Sequence, residues 1–185
     1  MIMSAQHAVT TIQDLLALPD DGLRHELLDG EHVVTPSPTV RHQVLVCRLL
    51  DVLEASFGSS GVTALLSPSD IHLGPRTLVQ PDLFAIRVPE DWSRASSEEI
   101  GIPQLAVEVI SPASALRDRG IKRHLYLDAG VEEYWVIDIE SRIIERWRAG
   151  DAGPEIAHTE LRWSLTGGVS GVLTIAALFA GFVPE

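Results

Sequence analysis

The chain has 185 residues, 45% of them hydrophobic and 22% charged, the size of about one globular domain whose core needs no covalent staples. A single cysteine, Cys47, excludes an intrachain disulfide framework and a cysteine-based zinc cluster. Twenty-six acidic against 14 basic residues leave a net charge of −12, so bulk charge does not gather polyanions, and nucleic acid has to be met through a local site, a metal or a second chain.

Residues 1–10 show no basic segment followed by an apolar one, so no secretory signal is expected. Residues 11–18 form a short helix stopped at Pro19. The runs 23–28 and 31–35 flank Asp29-Gly30, a pair suited to the two positive φ values of a tight hairpin turn. After the break at Pro36-Ser37-Pro38-Thr39, apolar residues recur at helical spacing from Val40 to Phe57, with Ser37 or Thr39 as N-cap and Gly58 as the stop. Residues 62–66, 71–73 and 83–88 read as strands, and 91–101 as a polar loop or short helix. The run 105–110, Leu-Ala-Val-Glu-Val-Ile, is apolar on both faces apart from one acid and reads as a central strand. A second long helix is predicted over 114–129, closed by Gly130. Strands follow over 133–139 and 142–147, the second antiparallel to the first. The Gly-rich remainder holds short strand-like pieces and a small helix near 174–179.

This order predicts an α/β fold, a mixed central sheet flanked by helices, with an N-terminal helix and hairpin. One domain is expected over 1–185, its core at about 11–148 and a C-terminal extension at 149–185. The tail 169–183 is interrupted by glycine and shorter than the ~20 residues of a spanning helix, so a cytoplasmic protein with no membrane association is expected. Its apolar stretch 173–182 suits either an interface or docking on the chain's own core.

Glu108 is the most informative residue. A carboxylate inside that apolar run requires a metal, a basic partner or an opening to solvent. It shares a strand face with Ala106 and Ile110. Asp82 opens the strand 83–88; alone, a Pro-Asp pair is most often a turn. All 14 basic residues are arginine except Lys122, where a compact ammonium is singled out. Alone, Lys122 reads as a surface partner of Asp118 one turn earlier. Together, two carboxylates and a lysine suit a hard cation such as Mg²⁺ or Mn²⁺ and an activated water.

Taken in order, Arg24-His-Glu26-Leu-Leu-Asp-Gly30, Pro36-Ser-Pro38, His42, Gln80-Pro-Asp82, Val107-Glu108-Val-Ile-Ser111-Pro, Asp118-Arg-Gly-Ile-Lys122-Arg-His-Leu-Tyr126 and Gly130-Val-Glu-Glu-Tyr-Trp135 resemble the Uma2 family of the PD-(D/E)XK, restriction-endonuclease-like superfamily. The resemblance implies a restriction-endonuclease-like core and a Mg²⁺-dependent hydrolase that cleaves DNA phosphodiester bonds. It implies Asp82 and Glu108 as metal ligands, with Glu26 as a further one, and Lys122 as the catalytic lysine. Ile110 stands where the superfamily usually has that lysine, which is implied to have moved to the following helix. His42 and Tyr126 are further site candidates. Arg117, Arg119 and Arg123 lie near the same helix and are expected to meet the DNA backbone. The acidic surface predicts a homodimer that builds a local basic cleft. A catalytically degenerate nuclease fold kept as a binding or assembly module is the alternative, and hydrolysis of another phosphate ester needs the same chemistry.

Overall fold

The computed structural model describes residues 8–94 and 100–183. Local sequence accounts for most of the elements. Thr11 caps α1 (Ile12–Leu16) in a reciprocal box with Asp14. β1 (Arg24–Leu28) and β2 (Glu31–Thr35) form the expected hairpin, with φ of 48° at Asp29 and 85° at Gly30. Thr39, rather than Ser37, caps α2 (Val40–Phe57), its hydroxyl accepting from the His42 N–H at 3.3 Å. The buried stripe of α2 is Leu45, Val46, Leu49, Leu53 and Phe57.

β3 (Val62–Leu66), β4 (Ile71–Gly74) and β6 (Leu83–Arg87) match the sequence reading, while β5 (Thr77–Val79) is a three-residue strand that the reading did not contain. The segment read as a polar loop or short helix is turn at Asp91 to Arg94, and 95–99 lie outside the described residues. β7 (Leu105–Ile110) is buried at every position. Next come α3 (Ala115–Arg117), a π-helical turn over Asp118–Lys122, and α4 (Arg123–Asp128). The helix read as continuous is thus widened in its middle by a π turn, a feature frequent at functional sites. β8 (Glu133–Asp138), β9 (Ile143–Trp147), β10 (Glu155–Ala157), β11 (Glu160–Leu165), β12 (Val169–Thr174) and α5 (Ile175–Leu178) complete the order.

The central sheet runs β10-β9-β8-β7-β6-β3, with β7 and β8 parallel and the other pairs antiparallel. The hairpin β1–β2 does not join it. It belongs to a second sheet, β2-β1-β5-β4, because the Leu27↔Leu78 contact gives β1 a partner in β5. Alternation sends Leu105, Val107 and Val109 to the α2 face, among Leu49, Leu53, Trp135 and Trp163. Ala106 and Ile110 go to the opposite face, among Tyr126, Tyr134 and Val136, and Glu108 goes with them.

The C-terminal stretch is not a free apolar surface. Leu173, Ile175, Leu178 and Phe179 are all at most 4% exposed within the α2-face core, so docking on the chain's own core is what this segment does. Among the described residues no helix is long and apolar enough to cross a membrane.

Gly171 faces Trp163 in the β11–β12 pairing, and Trp163 meets Phe57 and Trp135 edge-on. A Cβ at position 171 would stand 2.6 Å from the Trp163 ring and 2.9 Å from the Ser56 hydroxyl. Gly171→Ala is therefore expected to destabilise by about 1–3 kcal/mol through overpacking. A lower urea midpoint with unchanged slope would show it, and an unmoved midpoint would mean that the ring shifts freely.

Candidate active site

Two strand ends and one helix face build the site. β6 and β7 are in register at Leu83↔Val107, so Asp82, one residue earlier, stands level with Glu108. Asp118, Lys122 and Tyr126 follow one another at four-residue steps and are all buried, whereas Leu116 is 92% exposed. A polar stripe therefore faces inward from this helical segment toward Glu108.

Lys122 is 2% exposed. Its Nζ donates to Glu108 Oε1 at 2.8 Å and lies 2.8 Å from Glu26 Oε1 and 3.9 Å from Asp118 Oδ1. The Asp118 pair is thus present, but inside the protein and as the longest of the three contacts. Glu26 also accepts from the Gln80 N–H at 2.8 Å. The Tyr126 hydroxyl donates to Glu108 Oε1 at 3.0 Å. Ile110 does not leave Glu108 without a lysine, because the helix after β7 returns one to it.

Burial disfavours the Lys122 ammonium, but Glu108, Glu26 and Asp118 outweigh it and raise the pKa above its ordinary value of 10.5. Burial also drives the Glu108 carboxyl well above its ordinary range. Lys122 opposes the shift, while Asp82, Asp118 and Glu26 add to it. Burial raises Asp118 too, again against Lys122. A further cation beside these carboxyls would favour their charged forms, as Lys122 does.

Asp82 is held differently. Its Oδ1 accepts from Arg24 at 3.0 Å, and its Oδ2 accepts from His42 Nε2 and from the Val109 N–H, both at 2.9 Å. Burial favours the neutral acid, yet His42, Arg24 and the Val109 N–H together lower its pKa. Asp82 is therefore an anion. Arg24 also donates to the Gln80 carbonyl.

Asp82, Glu108, Lys122, His42, Arg24, Asp118 and Arg117 line one cavity of about 360 Å³, whose wall also includes residues 35–39 and 111–114. Glu26 and Tyr126 stand behind this lining, in contact with Lys122 and Glu108. The three arginines near the helix do not act alike. Arg119 pairs with Glu145 at 2.6 Å and Asp138 at 3.1 Å. Arg123 lies over the Trp147 ring at 4.3 Å. Arg117 is the one of the three that faces the cavity, its Nε buried without a hydrogen-bond partner among the described residues. Arg24 and Asp118 are the site groups that reading by function did not assign. Arg24 had a signal: it lies two residues before Glu26 on one strand face.

The donor set fits Mg²⁺ or Mn²⁺. Asp82 and Glu108 offer hard oxygens at one cavity, and such ions keep several waters rather than demanding a full protein cage. Among the described residues no group of three or more His, Cys, Asp and Glu side chains forms such a cage.

A mixed sheet flanked by helices, with two acids level on adjacent strands and a lysine delivered by the next helix, is the arrangement of a restriction-endonuclease-like fold. The chain belongs to the Uma2 family, described as "Putative restriction endonuclease", which matches residues 12–175. One relative, "Uncharacterized protein slr1290" of Synechocystis sp. (strain ATCC 27184 / PCC 6803 / Kazusa), is 27% identical over 138 residues, 70% of this chain and 68% of its own. The fold is also that of a crystal structure of "a putative nuclease belonging to DUF820" from Anabaena variabilis ATCC 29413. That structure has a TM-score of 0.74 and 19% identity, over 92% of this chain and 97% of the other.

Proposed function

We propose that this protein is a metal-dependent phosphodiesterase of the endonuclease class that acts on DNA. The observation carrying this reading is the meeting of Lys122 Nζ with Glu108 Oε1 at 2.8 Å on the cavity that Asp82 also lines. Asp82 and Glu108 would hold Mg²⁺ or Mn²⁺, which when bound lowers the pKa of a coordinated water and polarises the phosphoryl oxygen.

The chain's own residues do the rest. Lys122 stays protonated, so it serves as a charged donor rather than a base. It orients the attacking water and stabilises the charge that develops on phosphorus. Glu26 is assigned to hold Lys122, to which it is directly bonded, rather than to ligate the cation. Tyr126 fixes one oxygen of Glu108, leaving the other toward the cavity, and His42 orients Asp82. Arg117 meets a phosphate of the substrate. With a net charge of −12 per chain, a homodimer would have to set arginine-bearing faces of two copies together as a local basic cleft.

The test pairs a supercoiled-plasmid assay in Mg²⁺ or Mn²⁺ with calorimetric Mn²⁺ titration of wild type and Glu108→Gln. Wild type is expected to nick the plasmid and bind Mn²⁺, and Glu108→Gln to lose both. Because Glu108 must give up a proton from a raised pKa, Mn²⁺ affinity is expected to keep rising with pH above the ordinary carboxylate range. Neither nicking nor Glu108-dependent Mn²⁺ binding by wild type would favour a binding or assembly module instead.

A further inference from the structure

We infer that Arg24 is a resident counter-cation of Asp82 that competes with the divalent metal, so metal binding and release of Arg24 are coupled. This deepens the metal-dependent reading above and rests on it. Asp82 has capacity for about four hydrogen bonds, two on each oxygen. The Oδ2 capacity is filled by His42 and the Val109 N–H, both at 2.9 Å. Only Oδ1 has capacity left, and Arg24 takes one of its two positions at 3.0 Å. A metal using Asp82 must therefore approach the oxygen that the guanidinium already holds.

The guanidinium is poised to leave. Its side chain is 17% exposed and borders the cavity, and its Nε is buried without a hydrogen-bond partner among the described residues. Its second hydrogen-bond anchor is a neutral carbonyl, that of Gln80, and Glu108 and Glu26 act on it only through space. Lys122 differs, being held by two carboxylates at 2.8 Å and a third at 3.9 Å. A dication on Oδ1 neutralises the charge that keeps Arg24 in place and repels it directly. Of Arg24 and Lys122, Arg24 is the one that yields. Arg24 thus sets metal affinity, and keeps Asp82 ionised and aligned when no metal is bound.

Calorimetric Mn²⁺ titration of wild type, Arg24→Gln and Arg24→Lys tests this without measuring activity. A unit charge about 5 Å from a dication opposes binding even under near-aqueous screening, so Arg24→Gln is expected to bind Mn²⁺ at least about tenfold more tightly. Arg24→Lys, which keeps the charge, is expected to stay within about threefold of wild type on the same grounds. Equal or weaker binding by Arg24→Gln overturns the inference.

Should the glutamine variant not fold, wild type suffices. Phenylglyoxal labelling read by mass spectrometry is expected to modify Arg24 several-fold faster with Mn²⁺ than without. Arg119, paired with Glu145 and Asp138, serves as the unchanged internal reference. Labelling of Arg24 that is unchanged or slowed by Mn²⁺ overturns the inference. Mn²⁺ binding that depends on Glu108 while Arg24 fails to respond removes this inference alone. Absence of Mn²⁺ binding in wild type and in Arg24→Gln removes the metal-dependent reading with it.

Discussion

Lys122→Met is expected to destabilise the protein by about 3–5 kcal/mol near neutral pH, the cost of orphaning buried charge. The side chain is almost fully enclosed, and methionine fills its volume, so packing loss is small. What remains is a pocket holding Glu108, Glu26 and Asp118 with their shared ammonium gone. The pH dependence identifies the cause. Glu108 and Asp118 have raised pKa values in the folded wild type, and removing Lys122 raises them further. As pH falls they take up protons, the orphaned charge vanishes, and the deficit narrows. Titration of Lys122 itself adds nothing in this range, because the ammonium is lost only as pH rises through a folded value above 10.5. Urea unfolding of both proteins at about pH 8 and about pH 5 reads the difference. An equal deficit at both would point to a packing defect. Plasmid nicking is expected to fall by about 10²–10³, the usual loss on removing one transition-state charge donor.

Asp82→Asn is the second large effect. The amide keeps the shape but not the charge, so Arg24 and His42 face a neutral group and the carboxylate proposed to hold Mn²⁺ is lost. Nicking is expected to drop at least about 10²-fold, as for the loss of a major electrostatic element. At neutral pH the variant is expected to be about 1.5–3 kcal/mol less stable, the worth of hydrogen bonding to a charged group. Here the sign runs the other way from Glu108. The folded pKa of Asp82 lies below its ordinary value of 3.8, so its contribution is complete above 3.8 and disappears as pH falls through the folded value. The stability curves of wild type and variant should therefore converge in acid. Curves that stay parallel would show that the Asp82 charge is not what Arg24 and His42 hold. Nicking by Asp82→Asn at the wild-type rate would mean that the site does not carry the activity.

Much of the frame was legible from short windows of sequence. Asp29-Gly30 announces its hairpin because few other pairs accept two positive φ values. The stripe from Leu45 to Phe57 and the doubly apolar run 105–110 follow from the repeats of helix and strand, each needing only its own segment. Glu108 stood out because burying a carboxylate demands compensation wherever it lies. Asp82 and Lys122 carried too little information individually. Their ordered occurrence with the other motifs is what set them apart.

Partnership was another matter. Arg117, Arg119 and Arg123 look alike in sequence, yet one lines the cavity, one is held by Glu145 and Asp138, and one stacks on Trp147. The second sheet depends on a contact between Leu27 and Leu78, and the clamp on Asp82 joins residues 24, 42 and 109. Hydrophobic period and turn chemistry are properties of neighbours along the chain, so the sequence by itself determined where most strands and helices lie and which acid is out of place. Charge pairing depends on distance through space, so only the tertiary structure decided which cation answers which carboxylate.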